Sequence, residues 1–312
     1  MDNLVLSFNV VLPIFFMMAL GYVIKRVGLA DDASLKKFNN VTFRVFLPIL
    51  LFNNIYNTDI KSALYPKMMI FGAAATLTIY TVVFILTCIL EKDNKKRGVM
   101  IQGIFRSNFI LFGLPVVLKL YGQEAMGATS LMIAVIVPIY NVFSVVALEV
   151  FRSSKINAKK ILKGIATNPL ILGSVIGLLT LLSGIRFPHV IEETISDISK
   201  IATPLALIIL GASMNFKTVT KNLKYIIVGV SGKLVIGPFF GIMAAVALGF
   251  RNVELAILLS MFASPTAVSS FTMAQQMDAD ADLAGQLVVF DTTISIFTMF
   301  IWVFILKQMC LM

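Results

Sequence analysis

The chain has 312 residues, of which 58% are hydrophobic and only 13% are charged, whereas an average soluble domain has about 25% charged residues. With a mean hydropathy of +0.93, this much apolar surface has to be covered by lipid, which excludes a soluble fold. The formal net charge is +10. The basic residues of the chain are spread through short connections between apolar segments. This pattern is typical of membrane topology and not of a nucleic-acid-binding module.

The few cysteine and histidine residues exclude two further classes of site. Cys88 and Cys310 lie in apolar segments, and His189 is the only histidine, so neither a disulfide framework nor a His/Cys metal site is expected. The first apolar segment begins almost at Met1, without a basic leader or a small-residue cleavage site. It is therefore predicted to be a retained span and not a signal peptide.

Ten apolar segments approach the roughly 20 residues that a membrane span requires. In chain order, these predicted spans 1 to 10 cover residues 5–24, 38–56, 67–90, 98–120, 126–151, 158–183, 195–214, 223–249, 253–276 and 283–308. Counted together with the adjoining ends of the spans, the connections after odd-numbered spans carry 16 Lys and Arg residues and the other connections and the termini carry 7, while Arg44, Arg106 and Lys233 fall inside spans. Because cytoplasmic loops are rich in Lys and Arg, we expect the odd-numbered connections to face the cytoplasm and both termini to lie outside the cell membrane.

Several residues recur at a fixed offset between the two halves of the chain. The offset is 156 residues for Pro13 and Pro169, Pro48 and Pro204, and Arg44 and Lys200, and 150 residues for Pro115 and Pro265, and Asn141 and Asp291. Since each half has five spans, the second half must insert in the opposite orientation. The sequence therefore predicts an all-α integral membrane protein of two inverted five-helix repeats, 1–152 and 153–312, an arrangement typical of secondary transporters.

Spans 4 and 9 each contain a central proline, Pro115 after Gly-Leu and Pro265 after Ala-Ser. A proline in a helix interior costs roughly 3 kcal/mol, and in lipid the freed backbone groups need partners in protein or a cavity. Ser264 and Pro265 suit the first positions of a new half-helix, and Pro115 can begin the matching one. Two half-helix N-termini meeting at mid-membrane favour an anion site. The alternative is that both prolines only kink packed helices.

Polar and ionisable side chains at membrane depth are costly and often functional. Asp291 in span 10 is a candidate for proton or sodium coupling, or else the structural partner of Lys233 in span 8. Lys233 suits neutralisation of an anionic substrate, but its long stem also permits snorkelling to the interface. Arg106 is either a charge partner or an anchor at the cytoplasmic side, and Asn108 offers both donors and an acceptor to a carboxylate.

Five stretches carry a resemblance to a known family: FNNVTFRVFLPILLF (38–52), RSNFILFGLPVVLKLYG (106–122), NPLILGSVIGL (168–178), IATPLALIILGASM (201–214) and SPTAVSSFTMAQQMDADADLAG (264–285). They resemble the auxin efflux carrier family, in particular its bacterial branch of malate- and malonate-type carboxylate permeases. The resemblance covers essentially the whole chain. The short connection at 152–160 matches the bacterial members, and the lack of an acidic residue in span 3 argues against an auxin-like substrate.

The resemblance implies that spans 4 and 9 cross at their prolines and that Asn108 contacts substrate. It also implies a transport part formed by spans 3–5 and 8–10 and a scaffold, often dimeric, formed by spans 1–2 and 6–7. We therefore predict a secondary active transporter of a small organic anion, a mono- or dicarboxylate, working by alternating access. Its driving force is expected to be a gradient, since no Walker sequence is present.

Two other functions are compatible with the same residues: a channel-like or sensory membrane protein of this fold, or a carrier of another amphipathic organic acid. An enzyme is not expected, because Asp291 is the only acid well inside a span. The expected partners are the anion, the lipid bilayer and a second copy of the chain, with no cofactor, metal or nucleic acid. The substrate-binding candidates are Asn108, Gly113, Pro115, Asn141, Ser264, Pro265, Thr266 and Ser269, and the candidates for coupling or charge pairing are Asp291, Lys233 and Arg106.

Overall fold

A computed structural model describes residues 2–58, 65–152 and 158–312, and every regular element within these ranges is helical. The α-helices are α1 (Asp2–Arg26), α2 (Asp32–Val41), α3 (Leu47–Tyr56), α4 (Pro66–Leu90), α5 (Asn94–Phe105), α6 (Leu114–Tyr121), α7 (Met126–Phe151), α8 (Ala158–Ala166), α9 (Pro169–Leu182), α10 (His189–Ser213), α11 (Val219–Ser231), α12 (Gly237–Ala247), α13 (Asn252–Ala263), α14 (Ser269–Gln276) and α15 (Ala281–Gln308). Single turns of other helix types are 3₁₀ at Gln123–Ala125 and Phe216–Thr218, and π at Thr42–Phe46, Phe109–Gly113 and Gly232–Ile236.

Within the described ranges, six segments are long and apolar enough to cross a membrane. They are Pro66–Leu90, Asn94–Tyr121, Gln123–Phe151, His189–Ser213, Val219–Ala247 and Ala281–Gln308, which correspond to predicted spans 3, 4, 5, 7, 8 and 10. The shorter apolar helices α9 and α13 lie in predicted spans 6 and 9. The chain is therefore an all-helical, multi-pass membrane protein.

Contacts between the connections define two opposite ends of the molecule. At one end, the backbone N–H of Asp280, just before α15, donates to the carbonyl of Lys95 at the start of α5 (3.1 Å). At the other end, the N–H of Asn252, at the start of α13, donates to the carbonyl of Leu311 near the C-terminus (2.9 Å). Because α15 runs from the first of these contacts to the second, the two contacts lie at opposite ends of the molecule. The lysine-rich connection before α5 is therefore at the end opposite to the C-terminus.

Two pairs of helices pack with their backbones in contact: α1 with α10, and α3 with α9. A Cβ atom on Gly211 of α10 would overlap the carbonyl group of Met18 in α1, and one on Gly173 of α9 would lie 2.6 Å from the carbonyl oxygen of Pro48 in α3. Small residues at crossings let membrane helices approach closely enough for extensive van der Waals contact. Since α3 also contacts α10, these four helices form one closely packed group.

Each π turn ends two residues before a proline: Pro48, Pro115 and Pro238. In an α-helix, the proline ring clashes with the carbonyl group of the preceding turn. In all three places the residue before the proline donates its N–H to the carbonyl five residues back, as Gly237 does to Gly232. The wider turn moves the backbone away from the ring, so the helix continues through the proline.

The backbone carbonyl of Leu234 has no α-helical donor, because Pro238 lacks an N–H, and it accepts from a side chain instead. In a regular helix, the oxygen of Leu234 would accept from the N–H of residue 238, which proline lacks. The indole Nε1–H of Trp302 in α15 donates to this oxygen at 3.0 Å. The only tryptophan of the chain thus joins α15 to the π turn between α11 and α12.

The predicted position of the break in span 4 is wrong. The structure breaks the helix at residues 106–108, between α5 and the π turn, and the chain then runs helically through Pro115 into α6. Pro115 lies two residues after the π turn Phe109–Gly113, and the wider turn accommodates its ring. The interruption therefore comes several residues before the proline that suggested it.

In span 9 a break exists, but Ser264 and Pro265 do not begin the next half-helix. Ser264 ends α13, with a ψ angle of 146°, and the helix resumes only at Ser269 in α14. The residue before a proline is driven out of the helical region by the proline ring. Pro265 therefore ends the helix before it, and residues 264–268 form a non-helical segment.

The role of Trp302 can be tested by removing its donor. The substitution Trp302→Phe leaves the buried carbonyl of Leu234 without a partner, which should cost about 1–3 kcal/mol and lower the thermal midpoint of the purified protein in detergent. The variant Phe304→Leu, at a 52% exposed position on the same helix, is the control and should change the midpoint little. Equal midpoints for Trp302→Phe and the unsubstituted protein would contradict this role of the indole group.

Candidate functional site

The two breaks lie against each other and are joined through their backbones. The N–H of Asn108 donates to the carbonyl oxygen of Pro265 at 2.7 Å. The segments 106–108 and 264–268 are non-helical, so their backbone groups cannot all pair within their own helices. Pairing across the two segments satisfies two of these groups in the protein interior, where water is scarce.

A cavity of about 90 Å³ lies beside this crossing. Its walls come from α3, α9 and α10 on one side and from the two breaks and α7 on the other. The polar lining residues are Asn54, Arg106, Ser107, Asn108, Tyr140, Asn141, Thr203 and Ser269, and the apolar ones include Leu47, Leu50, Leu51, Val137 and Leu170. A mostly apolar wall with a few converging polar groups is typical of small-molecule sites.

Arg106 is the charged group of this cavity and is only 4% exposed. Its guanidinium donates to the Asn141 Oδ1 (2.7 Å), the Ser269 Oγ (2.8 Å) and the Met273 Sδ (2.6 Å). All three acceptors are neutral, and none of the described residues that line the cavity is acidic. The charge of Arg106 is thus positioned by hydrogen bonds without being neutralised by a carboxylate.

Three asparagine amide nitrogens at the cavity lack hydrogen-bond partners among the described residues. Within the described residues, the Nδ2 atoms of Asn54, Asn108 and Asn141 are buried and unpartnered. For Asn141 the orientation of the amide is fixed, because its oxygen accepts from Arg106. An unsatisfied buried donor costs about 1–3 kcal/mol, so three such groups around one cavity favour a ligand that accepts hydrogen bonds.

Two helical segments also begin at the cavity. One starts at Phe109, directly after the break in span 4, and the other is α14, which starts at Ser269; both residues line the cavity. The first N–H groups of a helix have no intrahelical acceptor, and the helix dipole places a partial positive charge there. The predicted pair of half-helix N-termini is therefore present, but at Phe109 and Ser269 and not at Pro115 and Pro265.

A second polar cluster lies on residues adjacent to the crossing. The hydroxyl group of Thr266 contacts the carbonyl oxygen of Gly103 (2.5 Å) and the carboxyl group of Asp291. The ammonium group of Lys233 donates to the Ser107 hydroxyl and to the Phe262 carbonyl (3.2 Å).

Lys233 and Asp291 are both buried within the protein. They do not form an ion pair with each other. The structure therefore supports neither a snorkelling lysine nor a direct structural pair between these two residues.

Five of the eight predicted binding residues do not line the cavity: Gly113, Pro115, Ser264, Pro265 and Thr266. Gly113 allows close packing, because a Cβ atom there would lie 3.0 Å from the hydroxyl oxygen of Ser264. That hydroxyl donates to the carbonyl of Ser260 in its own helix, and Pro115 lies in the first turn of α6. Pro265 contributes its carbonyl to the crossing instead of contacting the cavity.

Asn54, Ser107, Tyr140 and Thr203 also line the cavity but were not predicted from the sequence. A signal existed for Asn54, which follows Asn53 within the apolar stretch LPILLFNNIY and is as unusual at membrane depth as Asn108. Asn53 donates to Ser199 in α10 (3.1 Å), whereas the amide of Asn54 faces the cavity. Their different roles depend on tertiary packing that the sequence does not reveal.

Comparisons with known proteins identify the family of this chain. A family model described as "Membrane transport protein" matches residues 6–303, which confirms the resemblance to the auxin efflux carrier type. An uncharacterized transporter of Methanocaldococcus jannaschii is 21% identical over 96% of this chain and 98% of its own length. An uncharacterized transporter of Methanothermobacter thermautotrophicus is 23% identical (95% and 97%), and a Rhizobium meliloti protein named "Putative malonate transporter" is 22% identical (93% and 92%).

The bond between Arg106 and Asn141 can be tested through protein stability. The substitution Asn141→Leu removes the acceptor of a charge-assisted hydrogen bond, which should cost about 1.5–3 kcal/mol and lower the thermal midpoint. Asn141→Asp keeps an oxygen in that position, so its midpoint should stay closer to that of the unsubstituted protein. If Asn141→Leu were as stable as the unsubstituted chain, this hydrogen bond would not be what positions the guanidinium.

Proposed function

The chain belongs to the membrane transport protein family, and we propose that it is a secondary carrier of a small organic anion, a mono- or dicarboxylate. The observation that carries this proposal is the cavity beside the crossing of the two breaks. There, buried Arg106 and the unpartnered amide groups of Asn108 and Asn141 face a space that no described acidic residue lines. The malonate named for the Rhizobium meliloti relative belongs to this substrate class.

The chemistry of the cavity matches a carboxylate better than a cation or a neutral solute. The oxygens of a carboxylate are acceptors only, and they suit the guanidinium and amide donors that converge here. The two helix N-termini add partial positive charge, which would repel a cation. Leu47, Leu51 and Leu170 on the opposite wall suit the short hydrocarbon part of such a substrate.

We propose that transport proceeds by alternating access in a fold of ten spans arranged as two inverted repeats. The transport part is formed by spans 3–5 and 8–10, and the scaffold by spans 1–2 and 6–7. In support, the cavity lies between α3, α9 and α10, which belong to the scaffold, and the breaks and α7, which belong to the transport part. Movement of one part against the other would open the cavity to each side in turn.

The orientation follows from the distribution of charge between the two ends. Lys92, Lys95, Lys96 and Arg152 lie in connections or in the first turn of α5 at one end. There the carbonyl of Lys95 accepts from Asp280 and Arg152 pairs with Asp278 (2.9 Å). We propose that this end faces the cytoplasm, so that both termini lie on the outer side of the cell membrane.

The proposal is tested by malonate counterflow in proteoliposomes. The substitution Asn108→Ala removes one amide donor to the substrate, and the loss of a hydrogen bond to a charged group is worth about 1.5–3 kcal/mol. The KM for malonate should therefore rise about tenfold or more. Asn57→Ala is the matched control, because Asn57 is an exposed asparagine at the end of α3.

Two outcomes would contradict the proposal in different ways. If Asn108→Ala and Asn57→Ala had the same KM as the unsubstituted protein, the anion would bind elsewhere. If flux through the unsubstituted protein never saturated and showed no exchange with internal anion, the protein would be a channel and not a carrier.

A further inference from the structure

We propose that Asp291 is a proton-binding site and that the carrier moves one proton together with its anion. This inference rests on the proposed function and adds the co-transported ion and the residues that bind it. Asp291 is 0% exposed and lies outside the cavity that holds the anion site. The oxygens around Thr266 together require one more proton than Thr266 supplies.

The hydroxyl group of Thr266 has two hydrogen-bonding neighbours but only one proton. Its oxygen lies 2.5 Å from the carbonyl oxygen of Gly103, which can only accept, and it also contacts the Oδ2 of Asp291. If Thr266 donated to an ionised Asp291, the oxygens of Thr266 and Gly103 would face each other at 2.5 Å without a proton between them. Both contacts are satisfied when Thr266 donates to Gly103 and a protonated Asp291 donates to Thr266.

The other oxygen of Asp291 supports the same assignment. Within the described part of the chain, its Oδ1 is buried and has no hydrogen-bond partner. An ionised carboxylate with an unpartnered oxygen is very costly away from water, whereas a neutral carboxyl group costs much less. This conformation therefore fits Asp291 in its neutral form.

Lys233 is the charged group that faces Asp291 among the described residues, and it lies on the π turn between α11 and α12. Its ammonium group is held by Ser107 and the Phe262 carbonyl. A positive charge here favours the ionised form of Asp291 and disfavours a metal cation beside it. Thr266 thus stabilises the protonated form and Lys233 the deprotonated form, so a shift at the crossing can load or release a proton.

The proton site and the anion site are connected through the crossing. Thr266 follows Pro265, whose carbonyl accepts from the N–H of Asn108, and Ser107, which holds Lys233, precedes Asn108. An anion bound at Asn108 therefore acts on the backbone next to both partners. In each cycle the O–H bond of Asp291 forms with a proton from water on one side and breaks on the other, where water takes the proton.

The test measures proton and malonate fluxes in the same proteoliposomes, with a trapped pH dye and labelled malonate. For the unsubstituted protein, malonate uptake should acidify the lumen, and an inward proton gradient should accelerate uptake without sodium. Asp291→Asn cannot release a proton, so its ratio of protons to malonate should fall at least tenfold. Asp197→Asn, an exposed acid on α10, is the control and should keep the unsubstituted ratio.

Thr266 provides a second variant for the same measurement. Thr266→Val removes the hydroxyl group that holds the protonated carboxyl, and it should lower the proton-to-malonate ratio. Thr266→Ser keeps a hydroxyl group in that place and should restore the ratio. A purely structural role of Thr266 would change the rates of both fluxes equally and leave their ratio unaltered.

A measurement of stability covers the possibility that Asp291→Asn does not fold. The amide N–H of asparagine can donate to Thr266 as a protonated carboxyl does, so its thermal midpoint should lie within about 3 °C of that of the unsubstituted protein, a shift that corresponds to roughly 1 kcal/mol in a protein of this size. Failure to fold, or a much larger decrease, would mean that an ionised Asp291 is required and would overturn the assignment.

The failure of this inference is distinguishable from the failure of the proposed function. Malonate counterflow without proton movement, proton movement retained in Asp291→Asn, or a requirement for sodium would each overturn the proton site and leave the anion carrier intact. Absence of malonate counterflow in the unsubstituted protein would overturn both.

Discussion

The hydrogen bond between the N–H of Asn108 and the carbonyl of Pro265 (2.7 Å) is the contact on which the rest of the structure depends. A helix that is interrupted inside a membrane exposes backbone groups that neither lipid nor its own turns can satisfy. Here two interrupted helices satisfy each other. Because one break belongs to each half of the chain, the pairing also fixes how the two halves meet.

The same contact separates two kinds of polar chemistry. On the cavity side, Arg106 has a positive charge that no carboxylate neutralises, and the amide nitrogens of Asn108 and Asn141 are donors without acceptors. Both features favour the binding of an anion. Away from the cavity, Asp291 contacts Thr266 and Lys233 contacts Ser107. In the sequence, Thr266 follows Pro265 and Ser107 precedes Asn108, the two residues joined by the hydrogen bond. An anion carrier that also moves a proton needs both sites close together but not in direct contact, and a crossing of two breaks provides this.

The sequence was sufficient for the helical class, the membrane location and the family, since all three follow from composition, span length and characteristic stretches. It also identified Arg106, Asn108, Asn141 and Ser269 as candidates, because polar groups at membrane depth are rare. It misplaced the break in span 4, because the effect of Pro115 depends on a π turn that has no recognised sequence pattern. Asn54 was missed for a related reason: only tertiary packing decides which polar group of a helix faces a cavity.

We propose that the cavity beside the crossing holds a carboxylate. The most direct measurement is an experimental structure of the protein with bromomalonate, in which the bromine is located by its anomalous scattering. We expect one site in this cavity, with the carboxylate oxygens within hydrogen-bond distance of Asn108, Asn141 or Arg106. Bromomalonate bound only elsewhere, for example in a separate cavity lined by Glu149 and Arg152, would contradict this assignment.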